Sequence, residues 1–329
     1  MTRVVRFHEE GGPEVLRIDD VEVAEPGPGE IRLRVKALGI NRAEVMFRKG
    51  EYLIAPQFPQ GLGYEAAGEV ESVGPNVTEF AVGDAVSVIP AFQFDEYALY
   101  GETVLAPARA AVKHPAHLDW TEAAGSWMQF MTAWGALIDI AKLGEGDTVL
   151  IPAASSSVGL AAIQIANAVG ARPIALTRSQ SKVAMLQSEG AADVVVTEDS
   201  DLVTEVMRLT DGHGARVVFD PVGGPTFAEL SRATAEHGIL FIYGALSDQP
   251  TPLPLLSMLG GLQTARGYQL FEITGDDARL ARGKRFIVDG LESGALKPRI
   301  DRTFAFDDIV DAHRYMESNQ QIGKIVVTV

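Results

Sequence analysis

Residues Val149–Ala171, VLIPAASSSVGLAAIQIANAVGA, decide how the rest of this chain is read. Thr148–Ile151 is a short apolar run behind a Gly146-Asp147 turn, the pattern of a buried parallel strand. Ala153 to Val158 offers only small or slim side chains. From Gly159 onward Leu160, Ile163, Ile165, Ala166 and Val169 recur at helical spacing until Gly170, a helix stop. The order is strand, bulk-free turn, helix. Such a turn admits a dinucleotide pyrophosphate to the N–H groups at a helix N-terminus, where the macrodipole favours negative charge. Ser155, Ser156 and Ser157 stand where several glycines are usual, and only Gly159 remains. Serine keeps the loop slim and adds hydroxyls for phosphate oxygens, at the loss of glycine's freedom at positive φ. The same spacing also fits an ordinary α/β turn that packs a helix on a sheet. On the dinucleotide reading, Ser155 to Ser157, Val158 and Gly159 line the pyrophosphate.

The next residues favour that reading. Pro173–Thr177 predicts a second parallel strand, and a site for NAD places an acid near its end to hold the ribose 2′-OH. Here Thr177–Lys182 reads TRSQSK, with no acid before Glu189. Thr177, Arg178 and Lys182 are therefore assigned to the cofactor, with Arg178 and Lys182 gripping a 2′-phosphate. A solvated helix start with two stray cations is the alternative, but cations at a helix N-terminus are unfavourable without an anion. The expected cofactor is NADPH rather than NADH.

The length of 329 residues predicts about two domains, and a hydrophobic content of 47% is enough for large cores. Lys and Arg number 28 against 44 Asp and Glu, a net charge of −16 that argues against nucleic-acid or anionic-membrane partners. There is no cysteine, so neither disulfides nor thiolate zinc sites can form. The N-terminus lacks a signal-like apolar core and no stretch has membrane-span length, so a cytoplasmic location is expected.

The two ends of the chain differ in texture from the middle. Val4–Phe7, Glu14–Val23, Ile31–Leu38, Ala67–Val73 and Ala85–Ile89 are short β-type runs between Gly/Pro turns, as in an antiparallel barrel or sandwich. Thr121–Ala141 predicts one long helix. Strands then alternate with helices at Thr148–Ile151, Pro173–Leu176, Asp193–Val196, Arg216–Asp220, Gly238–Tyr243 and Thr264–Gly267, the complement of a doubly wound sheet. Ligands lie at the carboxyl ends of such strands, which adds Val222, Gly223, Tyr243, Gly244, Ala245 and Leu246 as cofactor candidates. Arg302–Phe306 and Ile325–Val329 return to β texture. The expected fold is α/β, with a dinucleotide-binding domain at 123–267 inserted in a mostly-β domain made of 1–122 and 268–329.

Several segments in this order resemble the medium-chain dehydrogenase/reductase superfamily, in its zinc-free NADPH:quinone oxidoreductase (zeta-crystallin-like) branch. They are GGPEVL (Gly11–Leu16), PGPGEIRLRVKALGINRAE (Pro26–Glu44), GLGYEAAGEVESVG (Gly61–Gly74), VGDAV (Val82–Val86), Ala123–Thr132, the serine loop, DPVGG and GKIVV (Gly323–Val327). The resemblance implies a Rossmann domain inserted in a GroES-like catalytic domain. Zinc-bearing relatives carry a cysteine where this chain has Asn41 and a histidine where it has Tyr64, so no zinc is expected. His114 and His117 flank Pro115 without a third ligand nearby and read as loop residues. The resemblance also places Asn41, Gln129 and Thr132 at the nicotinamide, with helix packing as the alternative for Gln129 and Thr132, adds Lys324 to the cofactor-binding residues, and matches Tyr52 to a tyrosine common in these enzymes. Asn41, Tyr52 and Tyr64 are then the catalytic candidates, as donors to the oxygen that gains charge; packing is the alternative for the tyrosines. Glu65 is expected to be an internal structural partner.

The reaction implied is zinc-independent hydride transfer from NADPH to a quinone or an α,β-unsaturated carbonyl compound. A zinc-less alcohol or aldehyde oxidoreductase and a non-catalytic NADPH-binding protein are the alternatives. The resemblance further implies a homodimer paired through the last strand of the binding domain, around Leu262–Gly267.

Overall fold

Strand β3 (Glu30–Ile40) is the spine of the first of two units in the computed structural model, which describes residues 1–329. Its Ile31, Leu33 and Val35 are buried while Arg32, Arg34 and Lys36 face outward, the alternation of a half-buried strand; Ala37–Ile40 is then buried throughout. Before it come β1 (Thr2–Phe7) and β2 (Leu16–Val21), and after it β4 (Gln60–Gly61), β5 (Glu65–Val73), β6 (Ala85–Val88), β7 (Thr103–Pro107) and β8 (Ala111–Lys113). The order β2-β1-β4 makes a three-stranded sheet. The larger, seven-stranded sheet recruits two strands from the far end of the chain, β15 (Ile300–Ala305) and β16 (Lys324–Thr328), in the order β15-β16-β3-β5-β6-β8, with β7 also on β3. Both β16 and β5 run antiparallel to β3, with Gly39 opposite Val326 on one side and Glu65 on the other.

The expected helix over 121–141 is three pieces: Trp120–Ala124, Trp127–Trp134 and a wide π-turn segment, Gly135–Ile140. The first has a capping box from Asp119 and Glu122, and packs Ala123 and Ala124 on Ala37, Ala67 and Val326 of the first unit's sheet. Gly125 closes it, and a Cβ there would meet Ile300 Cδ1 at 2.8 Å and Thr121 O at 2.9 Å. Apolar periodicity continues across this break, which is why the pattern alone reads as one helix. Because that short helix belongs to the sheet, the first unit comprises Met1–Met128, Thr274–Glu292 and Pro298–Val329.

The second unit, Gln129–Ile273 with Ser293–Lys297, is a six-stranded parallel sheet. Its strands are β9 (Thr148–Ile151), β10 (Arg172–Thr177), β11 (Asp193–Val196), β12 (Ala215–Asp220), β13 (Thr234–Ile242) and β14 (Thr264–Gly267), in the order β11-β10-β9-β12-β13-β14. The chain winds outward from β9 and then reverses to the β12 side, a topological switch of the doubly wound type. Leu150, Ile174, Leu176, Val218 and Leu240 of the sheet pack against Leu202, Val206, Phe227 and Leu230 of the helices.

Candidate active site

In the first unit the register brings three distant residues together. Asn41 follows the last residue of β3, Glu65 opens β5 and Lys324 opens β16. Asn41 Oδ1 accepts from Lys324 Nζ at 2.6 Å, and Asn41 Nδ2 donates to Glu65 Oε1 at 3.1 Å and Glu44 Oε1 at 3.3 Å. Lys324 also pairs with Glu65 Oε1, and the Met128 N–H donates to Glu65 Oε2 at 2.9 Å. Lys324 is 1% and Glu65 0% exposed, so each charge depends on these partners for the solvation it has lost. Gly39 makes room for the carboxylate: a Cβ there would lie 2.4 Å from Glu65 Oε1.

Glu44, on the helix Arg42–Arg48, is fully buried. Its Oε1 accepts from the Tyr64 backbone N–H at 3.1 Å as well as from Asn41, while Oε2 has no protein partner. Burial pushes the Glu44 carboxyl up to about 7 against the pull of the Lys324 ammonium. Tyr64 is buried as well, its ring stacked on Phe94 at 3.7 Å. The Tyr64 and Tyr52 rings are neighbours, with centroids 6.5 Å apart, and burial is the main cause raising both phenols. Tyr52 is half-buried and rests on the same ring of Phe94, with centroids 5.6 Å apart.

The second unit gathers the other candidates at the carboxyl ends of its strands. Ala153 has φ +48° in the turn after β9, and Ser156 caps the helix Ser157–Ala168 by accepting from the Gly159 N–H at 3.1 Å. A Cβ at Gly159 would lie 2.6 Å from Ala154 O, so only glycine lets the turn fold back on itself. Lys182 Nζ donates to Ser155 Oγ at 2.9 Å, which ties the cation beyond β10 to the serine loop. Arg178 is exposed beside it, and Thr177 Oγ1 accepts weakly from the Ser179 N–H at 3.4 Å. Asp220 holds the next loop by accepting from the N–H groups of Val222 (2.8 Å) and Gly223 (3.1 Å), and burial raises its carboxyl. The Leu246 N–H donates to Pro221 O at 3.2 Å, a Cβ on Gly244 would lie 2.6 Å from that same oxygen, and Ala245 is exposed. The Tyr243 ring stacks on Phe219 at 4.0 Å and its buried hydroxyl has no protein partner. Gln129 and Thr132 are buried on the helix Trp127–Trp134, where Thr132 O accepts from the Tyr268 hydroxyl at 3.0 Å.

These residues fit a phosphorylated dinucleotide. Gly159, in the first turn of the helix capped by Ser156, leaves no room for a side chain against the preceding loop, and Lys182 and Arg178 flank the end of β10.

Sequence reasoning passed over Glu44, Arg48, Tyr100 and His313. The signal was present in part: Glu44 and Arg48 are four residues apart in a short helix that also buries Val45 and Phe47, so two charges share its inward face.

Residues 27–145 match the family described as the alcohol dehydrogenase GroES-like domain, and residues 157–277 match the one described as zinc-binding dehydrogenase. The chain is 32% identical to a quinone oxidoreductase of Pseudomonas aeruginosa, covering 99% of both chains. It is 30% identical to a 2-haloacrylate reductase of a Burkholderia species, again over 99% of both. The crystal structure of Escherichia coli quinone oxidoreductase complexed with NADPH superposes with a TM-score of 0.90 at 28% identity, covering 99% of this chain and 100% of that one.

Proposed function

The chain belongs to the medium-chain dehydrogenase/reductase superfamily, in its zinc-free quinone oxidoreductase branch, and from that premise we propose that it reduces a quinone or an α,β-unsaturated carbonyl compound with NADPH. The observation that carries the reading is the Asn41–Lys324–Glu65 cluster. Where zinc-bearing relatives resemble this segment but hold a metal ligand, this chain has a carboxamide bound on its oxygen by an ammonium and on its nitrogen by carboxylates. Tyr64, at the second such position, is a phenol packed among Phe92 and Phe94. Chemistry at this centre therefore has to suit an acceptor that stabilises its own charge, as conjugated carbonyl compounds do.

Bound NADPH supplies the hydride. The chain's own part is to bind, orient and donate. Lys182 and Arg178 take the 2′-phosphate, with Ser155 positioning Lys182. The serine loop and Gly159 receive the pyrophosphate, Val222, Gly223 and Tyr243–Leu246 line the rest together with Lys324, and Gln129 and Thr132 are assigned to the nicotinamide. Tyr52 is the donor to the acceptor oxygen, where a fixed O–H is worth most as charge develops. Tyr64 acts through Tyr52, and Asn41 acts by fixing Lys324, since its amide hydrogens are directed at Glu44 and Glu65.

We further propose a homodimer and a cytoplasmic location. β14 is the outer strand of its sheet, and Leu253, Leu255, Leu256, Leu259 and Leu262 beside it in sequence are exposed, a surface that a second copy would cover. No helix is long and apolar enough to cross a membrane.

The test is NADPH oxidation, followed by its absorbance, over a panel of quinones, enones, aldehydes and ketones, with and without a strong chelator. Turnover of a quinone or enone that survives the chelator is expected. Turnover of aldehydes alone would refute the reading in favour of an alcohol/aldehyde oxidoreductase, and tight NADPH binding with no turnover would favour a non-catalytic role.

A further inference from the structure

Behind the Asn41–Lys324 cluster, the helix Arg42–Arg48 faces the helix Ile309–Glu317 across a buried seam rich in polar atoms without protein partners. They are Glu44 Oε2, Arg48 Nε and Nη1, the Tyr100 hydroxyl, and both ring nitrogens of His313. All four residues are at most 1% exposed. The groups are neighbours: the Tyr100 ring meets His313 edge-on at 6.0 Å, Tyr100 senses the charges of Glu44, Glu65 and Arg48, and His313 senses that of Arg48. Glu44 and Arg48 are four residues apart on one helix and carry opposite charge, yet form no ion pair with each other. The Arg48 Nη2 instead reaches Glu317, which also pairs with Lys49 at 2.7 Å and is partly exposed. Protein interiors leave such groups bare only at high cost, and water is the usual partner of buried polar groups that the protein does not satisfy; it can donate to Glu44 and His313 and accept from Arg48 and Tyr100.

We propose that this seam is a hydrated proton path that runs from Glu317 to Glu44, and that Glu44 is the source of the proton consumed in each turnover. The inference rests on the reductase reading above. Hydride transfer to a quinone delivers one hydrogen with both electrons and leaves the hydroquinone monoanion, and one proton completes the hydroquinone: quinone + NADPH + H⁺ gives hydroquinone + NADP⁺. The Tyr52 hydroxyl gives its proton to the acceptor oxygen and regains one from the Glu44 carboxyl, which accepts from the backbone N–H of Tyr64, the ring beside Tyr52. Water in the seam then returns a proton to Glu44. His313 is neutral across the working range and can receive a proton on one nitrogen while releasing one from the other. Arg48, paired to Glu317, relays no proton and orders the water beside it. The titration of Glu44 near neutrality, set by burial against Lys324 and in the company of Glu65, Asn41, Tyr52, Tyr64, Tyr100, His313 and Arg48, suits a group that must load and unload at physiological pH.

The discriminating variant is Glu44→Gln, which keeps an oxygen for the Tyr64 N–H and the Asn41 amide but cannot supply the proton. Wild-type kcat is expected to fall as pH rises through about 7, and Glu44→Gln to lose at least tenfold in kcat at pH 7 together with that limb, with NADPH Kd unchanged. Glu44→Asp should restore a limb, and His313→Phe should lower kcat severalfold with a larger solvent deuterium effect. An active wild type alongside a Glu44→Gln variant of unaltered rate and pH profile would overturn this inference alone. A wild type inactive on every quinone and enone would overturn the reductase reading and this inference with it. Should Glu44→Gln fail to fold, infrared spectroscopy of the wild type decides: a protonated carboxyl band that titrates near neutral pH and shifts promptly in D₂O is expected, and its absence or slow exchange overturns the path.

Discussion

Replacing Lys324 with methionine keeps the length and volume of the side chain but leaves the Glu65 carboxylate at 0% exposure without its cation. Losing one partner of a buried ion pair costs about 3–5 kcal/mol, most of it the uncompensated charge that stays behind. Here the Met128 N–H and the Asn41 amide still donate to Glu65, which argues for the lower end, roughly 3 kcal/mol. Glu65→Gln should cost a similar amount, since it strands the Lys324 ammonium at 1% exposure. The double variant Lys324→Met/Glu65→Gln removes both charges at once and should recover at least about 2 kcal/mol of the summed losses, because a buried pair replaced whole is often close to neutral. Urea unfolding of the four proteins at neutral pH and fixed salt gives the cycle directly. Losses that simply add would show that the pair is not coupled and that the cluster is not held together as described. The same Lys324→Met variant should move the Glu44 titration upward, because the ammonium is what opposes the effect of burial there.

Arg178→Ala and Lys182→Ala should each weaken NADPH by roughly 1.5–3 kcal/mol and barely change NADH, the scale of a charge-assisted bond to phosphate; equal losses for both cofactors in a titration would remove the 2′-phosphate assignment. Tyr52→Phe should lower kcat by about tenfold or more with little change in KM, and Tyr64→Phe should lower it less because it acts through Tyr52; unchanged kcat in both on every accepted substrate would leave these residues to packing. His313 supplies a stability prediction with a definite sign. Burial, aided by the Arg48 charge, lowers its folded-state pKa from 6.5 to about 3, so the unfolded chain binds a proton the folded one refuses. Stability should then fall as pH drops from about 6.5 toward 3, by about 1.4 kcal/mol per unit from this residue, and His313→Leu should flatten that limb in a melt series. A limb of undiminished slope in the variant would contradict the assignment.

The second unit was the more legible half. The inner strands of its sheet show as apolar runs before a turn, because a parallel strand covered on both faces needs continuous apolar residues and a tight connection to its helix, whereas the edge strand Thr264–Gly267 is not an apolar run. The absence of an acid after Thr177 could be read directly, since the chemistry of the 2′ position depends on a short local segment. The break at Gly125 was not legible, because its cause is a close approach by Ile300, far away in the sequence.

In the first unit the division is sharper. The residue types at 41, 64 and 65, and the lack of cysteine, are properties of the chain itself, and they were enough to set aside thiolate–zinc chemistry. Which groups those residues bind is another matter. Asn41 meets Lys324 because β16 lies antiparallel beside β3, and Glu65 meets both because β5 flanks β3 on the other side. No local preference encodes that pairing; it follows from register between strands, one of them 283 residues away at Lys324 and the other 24 residues away at Glu65. The same holds for Glu44, Arg48, Tyr100 and His313, whose burial is decided by how two helices close over the sheet. Sequence determined the chemical groups and the architecture they suit, because propensity and periodicity act over a few residues. Only the tertiary structure decided which groups lost their water and which partners replaced it, because desolvation depends on everything that surrounds a side chain.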